Sequence, residues 1–460
     1  MGCTSGVAKA MIRRYGMLFA ERSPWEAKRV YLILASASAF FFTTIFTINL
    51  VYQLQVAHLN PLQLVLVGTV LEIALFLTQV PTGVLADVYS RRLAVIVGLV
   101  LIGAGALLEG SIPQFWAILL AQVLWGVGIT CMDGADSAWI ADEVGDEQLG
   151  PLLLRSSQVS RMLELVAIPL SVALASVRLN LPVLLGGGLF VALAALLLVV
   201  MPERGFTPTL RDDRSSWQAL ISTTRSGVRL IRRRPILLTL LGITAFTGLF
   251  SEGYDRLWTA HLLQDFRVPA LGSFQPVVWF GVISLGSALL NLGVTEVIKR
   301  RLDLNRHRAV ANLLFSFTAC LIASILGFAL AGNFWVALVA LWCANVFRTA
   351  QEPIFRTWQI QRIDPSVRAT VLSIDGQVNA LGQIVGGPAV GTIGNVSLRA
   401  ALVVAGLALS PALLLFARAR RQGVVAPAPE EPPEVAVPLE EASPPGPGSG
   451  EDAVPVADEI

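Results

Sequence analysis

The chain has 460 residues, of which 54% are hydrophobic and 14% are charged, and its mean hydropathy is +0.67. A soluble globular chain carries about 25% charged residues, so this composition all but excludes a soluble enzyme. The formal net charge of +2 is unremarkable, and the four cysteines have no paired spacing that would predict a disulfide framework or a zinc site.

Apolar segments of membrane-spanning length recur along the chain. A spanning helix needs about 20 mostly apolar residues, and by this measure we predict an all-α polytopic membrane protein with twelve spans. The first 29 residues are basic and lack an apolar core, so we expect no cleavable signal there. The predicted spans lie at 30–54, 62–85, 93–110, 114–140, 150–177, 181–201, 236–263, 274–298, 309–331, 333–358, 367–392 and 398–417.

The lysines and arginines orient these spans. Most of them fall in alternate segments, at 1–29, 204–234, 299–308 and 418–421 and at Arg91 and Arg92. The intervening loops hold only Arg178, Arg267 and Arg399. By the positive-inside rule, both termini are expected in the cytoplasm, in a multi-pass protein of the cell (inner or plasma) membrane.

Two segments stand apart from the spans. In the 202–235 linker, Trp217, Thr224 and Val228 recur at helical spacing beside arginines, which favours an amphipathic helix on the inner leaflet. A disordered basic linker is the alternative. Residues 418–460 are predicted to be a cytoplasmic tail, disordered because Pro, Glu and Ala dominate it from Gln422 onward.

Rare residues repeat between the two parts of the chain in a single register. Their agreement predicts two six-helix halves, 30–201 and 236–417, in parallel duplication. Such an arrangement has its pathway between the halves, near the bilayer midplane. The matched residues are Phe115-Trp116 with Phe334-Trp335, Asp133 with Glu352, Trp139 with Trp358, and Pro169 with Pro388.

The loop between spans two and three reads Gly83-Val-Leu-Ala-Asp87-Val-Tyr-Ser-Arg91-Arg92. This segment resembles the loop motif of the major facilitator superfamily, and the resemblance extends over residues 30–417. It implies that spans one, four, seven and ten line a central cavity. On physical grounds, Gly83 would let two helices approach, and Asp87 would accept hydrogen bonds from a neighbouring helix N-terminus.

Three further segments resemble bacterial drug:proton antiporters of the tetracycline and macrolide efflux type. Two features depart from that pattern: Gln122 stands where many of these antiporters have Arg, and of their glycine-rich signature in span five only Pro169 remains. Span eleven carries a similar glycine-rich run at 382–391. The three segments are Gly126-x-Gly128 to Asp142-Glu143, Ser251-Glu252-Gly-Tyr-Asp255-Arg256-Leu-Trp258, and Arg368-Ala-Thr-Val-Leu-Ser373.

Charged residues inside the predicted spans are the candidates for chemistry, because each costs roughly 2.5–3.5 kcal/mol at the bilayer centre. A carboxyl group in a dry helix interface can hold a proton at neutral pH and release it when the cavity opens. Arg348 is expected to neutralise Glu352. The candidates for proton coupling and the substrate cavity are Glu252, Asp255, Glu352, its counterpart Asp133, Glu164 with Arg161 as its switch, and Glu72.

The alternative for these charges is a set of buried ion pairs that hold the helices together. It is favoured for Arg155, Arg356 and Asp375, near the cytoplasmic edge. His58 and His261, at the outer ends of spans one and seven, are expected to make helix-end hydrogen bonds. Four aromatic residues are candidates for stacking on a flat ligand, with simple packing as the alternative: Phe46, Tyr52, Tyr254 and Trp258.

A cytoplasmic gate is predicted from the complementary charges of two loops. Arg91 or Arg92 is expected to pair with Asp142 or Glu143 at the end of span four. Asp87 is expected to face the N-terminus of span eleven, near 368–370. Together these contacts would hold the inner side shut when the cavity opens outward.

The leading functional hypothesis is a secondary transporter that exports an amphipathic, drug-like compound in exchange for protons, and so contributes to antibiotic resistance. A carrier of a polar metabolite with the same fold is the alternative. A cavity of Phe, Trp and a few acids would favour drugs, whereas rings of Asn, Gln and Arg would favour polar metabolites. An enzyme is disfavoured, because the sequence has no His/Asp/Glu metal cluster, no nucleophile motif and no soluble catalytic domain. It also has no ATP-binding loop, so we expect transport to draw on an ion gradient. We expect a monomer that binds its substrate, protons and lipid, with no cofactor, metal or nucleic acid.

Overall fold

The computed structural model describes residues 25–207, 234–269, 276–301, 307–361, 363 and 368–422, and in these ranges all regular secondary structure is helical. The helices of the first half are Ala27–Phe46, Asn49–Gln55, Pro61–Val88, Arg91–Ser111, Phe115–Met132, Ala135–Val144, Asp146–Val177 and Leu181–Val200. Those of the second half are Pro235–Gln264, Val278–Arg301, His307–Ala329, Phe334–Ile360, Arg368–Gly394, Leu398–Ala408 and Ser410–Arg421.

These helices form the twelve predicted spans, three of which consist of two helices each. Ten spans are long and apolar enough to cross a membrane by composition. Spans ten (Phe334–Ile360) and eleven (Arg368–Gly394) are as long but more polar. The fold is therefore an all-α polytopic membrane fold, as predicted.

The interruptions within spans were not predicted. Span one breaks at Thr47–Ile48 and span four at Asp133–Gly134, where Gly134 has a φ of 78°. Glycine adopts this left-handed conformation at little cost, so span four can turn there. Span twelve divides at Leu409, and its second helix begins at Ser410 with Pro411 in its first turn.

Helix starts follow from local capping. The Asn60 side chain accepts from the Gln63 backbone N–H while the Gln63 side chain accepts from the Asn60 N–H, a capping box at the start of span two. Ser90 caps span three in a similar way by accepting from Leu93 N. These polar caps set the positions at which the chain turns back between consecutive spans.

The two ends of the bundle differ in how the halves meet. We call the end with the loops at 56–60 and 395–397 the Asn60 end, and the opposite end, with the loop at 89–90, the Arg91 end. A hydrophobic cluster that extends through the second half, where it includes Leu257, also contains first-half residues such as Val65, and these lie toward the Asn60 end. A second cluster contains residues of the first half only. The Leu62 backbone N–H also donates across the halves to Asn395 Oδ1 at 3.1 Å.

The two tryptophans matched by the predicted duplication share burial but not their hydrogen-bond partners. Trp139 and Trp358 are fully buried near the Arg91 end of each half. Trp139 Nε1 donates to the Pro202 carbonyl, after span six, at 2.7 Å, and Trp358 Nε1 donates to His307 Nδ1, at the start of span nine, at 3.1 Å.

The predicted non-spanning segments lie mostly outside the described residues. Span one begins at Ala27, slightly before the predicted residue 30. Of the predicted linker helix, residues 208–233 are outside the described part of the chain. The final helix runs to Arg421, so 418–421 belong to span twelve and not to the predicted tail. The remainder of that tail, from 423, also lies outside.

Candidate functional site

An ion pair on span seven lies at the contact between the two halves. Glu252 is 3% exposed, and Arg256, one turn later, donates from Nε to Glu252 Oε1 at 3.0 Å. Residues four apart share a helix face, so span seven presents both charges in one direction. That direction is toward span two, as the contacts of Gly68 show.

Gly68 of span two leaves the space that this ion pair fills. A Cβ at Gly68 would overlap the Glu252 carboxylate and come within 2.5 Å of Arg256 Nε. Behind the pair, a Cβ at Gly387 of span eleven would lie 3.0 Å from Glu252 Cγ. Two glycines, one in each half, thus allow a buried charge pair to fit where spans two, seven and eleven meet.

Glu72 brings a second carboxyl group to this place from span two. It lies one turn beyond Gly68, on the same helix face, and is half-buried. Its electrostatic partners are Glu252 and Arg256. The structure therefore brings together two of the predicted acids, Glu72 and Glu252, around a single guanidinium group.

Arg348 of span ten makes its ion pair with Asp255, whereas Glu352, the partner predicted for it, interacts with it only electrostatically. Its two terminal nitrogens bind the two Asp255 carboxylate oxygens, one of them at 2.7 Å. The guanidinium also lies over the Phe250 ring, 5.5 Å from the ring centroid. Spacing along span ten suggested Glu352, but a bidentate contact across two helices provides better geometry than a neighbour on the same helix. Glu352 is exposed.

Glu109 of span three is a buried carboxyl group that sequence reasoning missed. It is 0% exposed and accepts from Gln53 Nε2 at 2.7 Å and from Gln122 Nε2 at 3.1 Å. The Tyr52 hydroxyl donates to its backbone carbonyl at 2.6 Å. The signal was present, because Glu109 is the one acid in the predicted span 93–110.

A cavity of about 340 Å³ lies in the second half, on the Arg91 side of Glu252. Its wall is formed mainly by spans seven, ten and eleven. Phe250 and Phe355 are its aromatic residues. The hydroxyl, amide and guanidinium groups that line it belong to Thr244, Thr247, Ser251, Arg348, Gln351, Arg356, Gln359, Asn379 and Gln383.

Two acids also belong to this cavity, Glu352 and Asp375. Asp375 is buried, and Thr244 Oγ1 donates to its Oδ1 at 2.6 Å. Next to Gly376, which lines the cavity, Gln377 Nε2 of span eleven donates to Gln79 Oε1 of span two at 2.8 Å, across the halves. Of the three residues predicted to form buried ion pairs near the cytoplasmic edge, Asp375 is buried with Arg356 as an electrostatic neighbour, but Arg356 and Arg155 are both exposed.

The other predicted acids lie away from this centre. Asp133 is exposed at the break in span four, so it is not enclosed as a proton site would be. Its counterpart Glu352 precedes Pro353. In each half, therefore, the residue after the acid, Gly134 or Pro353, is one that disturbs a helix. Glu164 is half-buried on span five with Arg161 as its electrostatic neighbour, and Arg161 is exposed.

At the Arg91 end, Arg91 makes the contact predicted for it. It pairs with Asp142 and also donates to the Ala138 carbonyl at 3.0 Å, so the end of span four is held to the start of span three. Arg92 instead donates to the Leu198 carbonyl. Glu143 accepts from the backbone N–H groups of residues 204 and 205.

Asp87 and Gly83 do not make their predicted contacts. The Asp87 side chain is 57% exposed and lies 3.4 Å from Arg91, with no ion pair to span eleven among the described residues. A Cβ at Gly83 would meet no atom within 4 Å. Both observations follow from the way the halves meet, because their close packing is at the opposite end.

The four aromatic candidates divide into exposed and buried residues. Phe46 is 49% exposed and packs edge-on against Trp125 at 5.1 Å. Tyr52 and Tyr254 are 0% and 2% exposed, so neither can stack on a ligand in this conformation. Trp258 packs against Phe280 at 5.9 Å.

The two predicted helix-end histidines differ. His261 is buried and makes its hydrogen bonds at the end of span seven, to Asp265 at 2.6 Å and to the Phe328 carbonyl at 3.2 Å. His58 is exposed and has a φ of 51° in the loop after span one. Of the two histidines, His261 therefore makes the predicted hydrogen bonds at a helix end.

Comparison with known proteins identifies the family that shares this architecture. The sequence profile of the Major Facilitator Superfamily matches residues 32–317. An uncharacterized MFS-type transporter of Bacillus subtilis (strain 168), YxaM, is 22% identical over 362 residues, covering 77% of this chain and 86% of the relative.

Solved transporter structures share the fold. The nucleoside transporter NupG superposes with a TM-score of 0.68 at 14% identity, covering 86% of this chain and 99% of its own. A bacterial homolog of the human lysosomal transporter Spinster, in an inward-facing and unoccupied conformation, gives 0.66 at 15% identity, with 87% and 98% covered. With its twelve spans and the extent of the family match, this chain belongs to the major facilitator superfamily and is a multi-pass membrane transporter.

Proposed function

We propose that the protein is a proton-coupled carrier of a small polar solute, one that offers several hydrogen-bonding groups. The observation that carries this proposal is the composition of the 340 Å³ cavity, which is lined by nine side chains with amide, hydroxyl or guanidinium groups and by five apolar ones, Ile243, Phe250, Leu321, Phe355 and Leu409. The volume is at the low end of the roughly 300–1,000 Å³ range of small-molecule sites. By the criterion set out above, this composition favours the polar-metabolite alternative over drug efflux.

Alternating access is supported by the contrast between the two ends. Apolar residues of both halves pack together at the Asn60 end, whereas Asp87 and Glu352 are exposed on the other side. With the topology predicted from the arginines, the Asn60 end faces outward and the cavity is reached from the cytoplasm. This is the inward-facing state of a carrier that moves between two such states.

Proton coupling is supported by the arrangement around Arg256. Glu252 and Glu72 share one guanidinium group at a site where Glu252 is 3% exposed. Two carboxylates and one cation leave an excess negative charge, which is expensive to bury unless a proton neutralises it. A site that takes up a proton in one conformation and loses it in another couples transport to a pH gradient.

Drug efflux remains the second candidate, and one observation favours it. Phe46 is 49% exposed beside Phe42 and Trp125, with the Phe42 and Phe46 rings stacked at 6.0 Å. Such a surface suits a flat apolar ligand.

Transport into proteoliposomes under an imposed pH gradient tests the two candidates. One panel contains nucleosides, dipeptides, sugars and amino acids, and the other contains amphipathic cationic dyes. The polar proposal expects uptake from the first panel, loss of that uptake in Asn379→Leu and Gln383→Leu, and little change in Phe46→Ala. The exposed Gln148→Leu controls for removing an amide. Transport of dyes alone that depends on Phe46 and not on Asn379 would reject the polar proposal in favour of efflux.

A further inference from the structure

Glu109 is a fully buried acid in the first half, at the opposite side of Arg256 from the cavity. It lies near the end of span three, with span one against one carboxylate oxygen and span four against the other. Arg256 of span seven is its electrostatic partner from the second half. Glu109 therefore belongs to the same charge system as Glu252, although no part of the polar cavity touches it.

The groups around Glu109 can accommodate both of its protonation states. The side-chain amides of Gln53, Gln122 and Asn49 each hydrogen-bond to the carboxyl group, which suits the ionised form. The acceptors Asn49 Oδ1 and Gln53 Oε1 are buried without a donor among the described residues. A protonated carboxyl is a hydrogen-bond donor, so a proton on Glu109 would provide a donor beside these oxygens.

The number of charged groups around Glu109 also favours a proton on its carboxyl group. The titratable and charged groups that face Glu109 among the described residues are Tyr52 from span one and Arg256 from span seven. Arg256 is already bound to Glu252 and is shared with Glu72, while Arg348 is bound to Asp255. Three carboxyl groups thus depend on one guanidinium group, and burying the excess negative charge requires protons.

We propose that Glu109 is a second proton-carrying site, which exchanges Arg256 with Glu252 during the transport cycle. In the state described here, Arg256 pairs with Glu252, and Glu109 holds its proton. Glu109 takes up this proton from water when the Asn60 end is open. In the inward-facing state the O–H bond of Glu109 breaks, the proton passes to Glu252, and Arg256 moves from Glu252 to the Glu109 carboxylate. Glu252 then releases the proton to water on the Arg91 side, so that one proton crosses the membrane in each cycle. This inference deepens the proposed function and rests on its proton coupling.

Infrared difference spectra between acidic and alkaline pH test the site without a known substrate. The protein is reconstituted in lipid vesicles, and the C=O stretch of a buried carboxylic acid is followed. Glu109→Gln should remove one such band and Glu72→Gln should leave it in place, whereas Glu252→Gln, which frees Arg256 for Glu109, should move the disappearance of the band to lower pH. Exposed Glu147→Gln is the matched control. A band set unchanged by Glu109→Gln overturns the proposal.

A second variant keeps the test valid if Glu109→Gln does not fold. Gln53→Leu leaves the carboxyl group in place and removes one donor, so it should shift the pH at which the band disappears. No shift would mean that Glu109 does not exchange a proton in the pH range of the spectra, and would overturn the proposal.

Transport then separates this proposal from the proposed function. If the wild type accumulates solute under a pH gradient, Glu109→Gln should lose accumulation and keep solute exchange, and wild-type accumulation in that variant overturns the inference. If the wild type itself shows no pH-driven transport, the proposed function fails, while the infrared band still decides whether Glu109 is a proton site.

Discussion

Gly68 of span two and Glu252 of span seven are so close that a side chain at the first would occupy the place of the second. A Cβ at Gly68 would overlap Oε1 of Glu252 and approach Arg256 Nε to 2.5 Å. The contact joins the two halves at the proposed coupling site. Adding one methyl group at residue 68 therefore tests whether the position of Glu252 matters for transport.

Gly68→Ala is expected to reduce pH-driven transport by about tenfold or more, a factor that corresponds to about 1.4 kcal/mol. The methyl group must displace the Glu252 carboxylate, while alanine itself improves helix propensity by up to about 1 kcal/mol. Loss of transport would therefore not reflect a weaker helix. Gly188→Ala is the control, because a Cβ there meets no atom within 4 Å. Equal rates for both variants would show that the position of Glu252 is not critical.

The Asp255–Arg348 pair is expected to behave as a coupled unit. Asp255→Asn and Arg348→Gln should each lower transport about tenfold or more, because each leaves one charge without its partner, and the double variant should recover part of the loss. The two side chains are 40% and 36% exposed, so the free energy of unfolding should change by no more than about 1 kcal/mol. A double-mutant cycle on uptake rates, with thermal unfolding alongside, measures both effects. Additive losses would mean that the residues act independently.

At the Arg91 end, Asp87→Asn is expected to impair closure and not insertion. Asp87 is 57% exposed in the state described here, so its partner would be met only when this end closes. Labelling of Gly83→Cys by a membrane-permeant thiol reagent should fall when solute and a pH gradient drive the cycle. In the Asp87→Asn background that labelling should stay high. The same protection in both backgrounds would exclude Asp87 from the gate.

Topology can be tested at Arg225, which lies outside the described residues. In a variant without the four native cysteines, Arg225→Cys should react in inverted vesicles and not in intact cells with an impermeant reagent. Val396→Cys, 90% exposed at the Asn60 end, should show the reverse pattern. Labelling of position 225 from outside the cell would invert the topology predicted by the positive-inside rule.

The sequence predicted the number and order of the spans, because apolar length and the placement of arginines depend on local composition. It also identified Glu252 and Asp255 as charges inside span seven. It could not assign their partners: Arg256 bonds to Glu252 along span seven, but Arg348 reaches Asp255 from another helix. The choice between a neighbour on the same helix and one across a helix pair depends on rotation and crossing angle, which spacing does not specify.

Glu109 and the break in span four were missed for different reasons. Glu109 satisfied the same rule as the other embedded acids, and consistent application of the cost of buried charge would have found it. The turn at Gly134 had no such signal, because glycine is common in membrane helices and Gly126 and Gly128 in the same span serve packing. A Cβ at Gly126 would lie 2.5 Å from Ala74 Cβ of span two, and one at Gly128 would lie 2.8 Å from the Gly98 carbonyl.

The apolar cluster shared by the halves at the Asn60 end has a kinetic consequence. Opening that end separates side chains such as Val65 and Leu257 and exposes them to water, which costs free energy in proportion to the apolar area. The Arg91 end has polar contacts such as Arg91–Asp142, which lie within one half and survive its opening. An empty carrier should therefore rest with the Asn60 end closed, and its unloaded return should be the slow step of net transport. Solute supplied on the far side would bypass that step, so exchange should run faster than net flux.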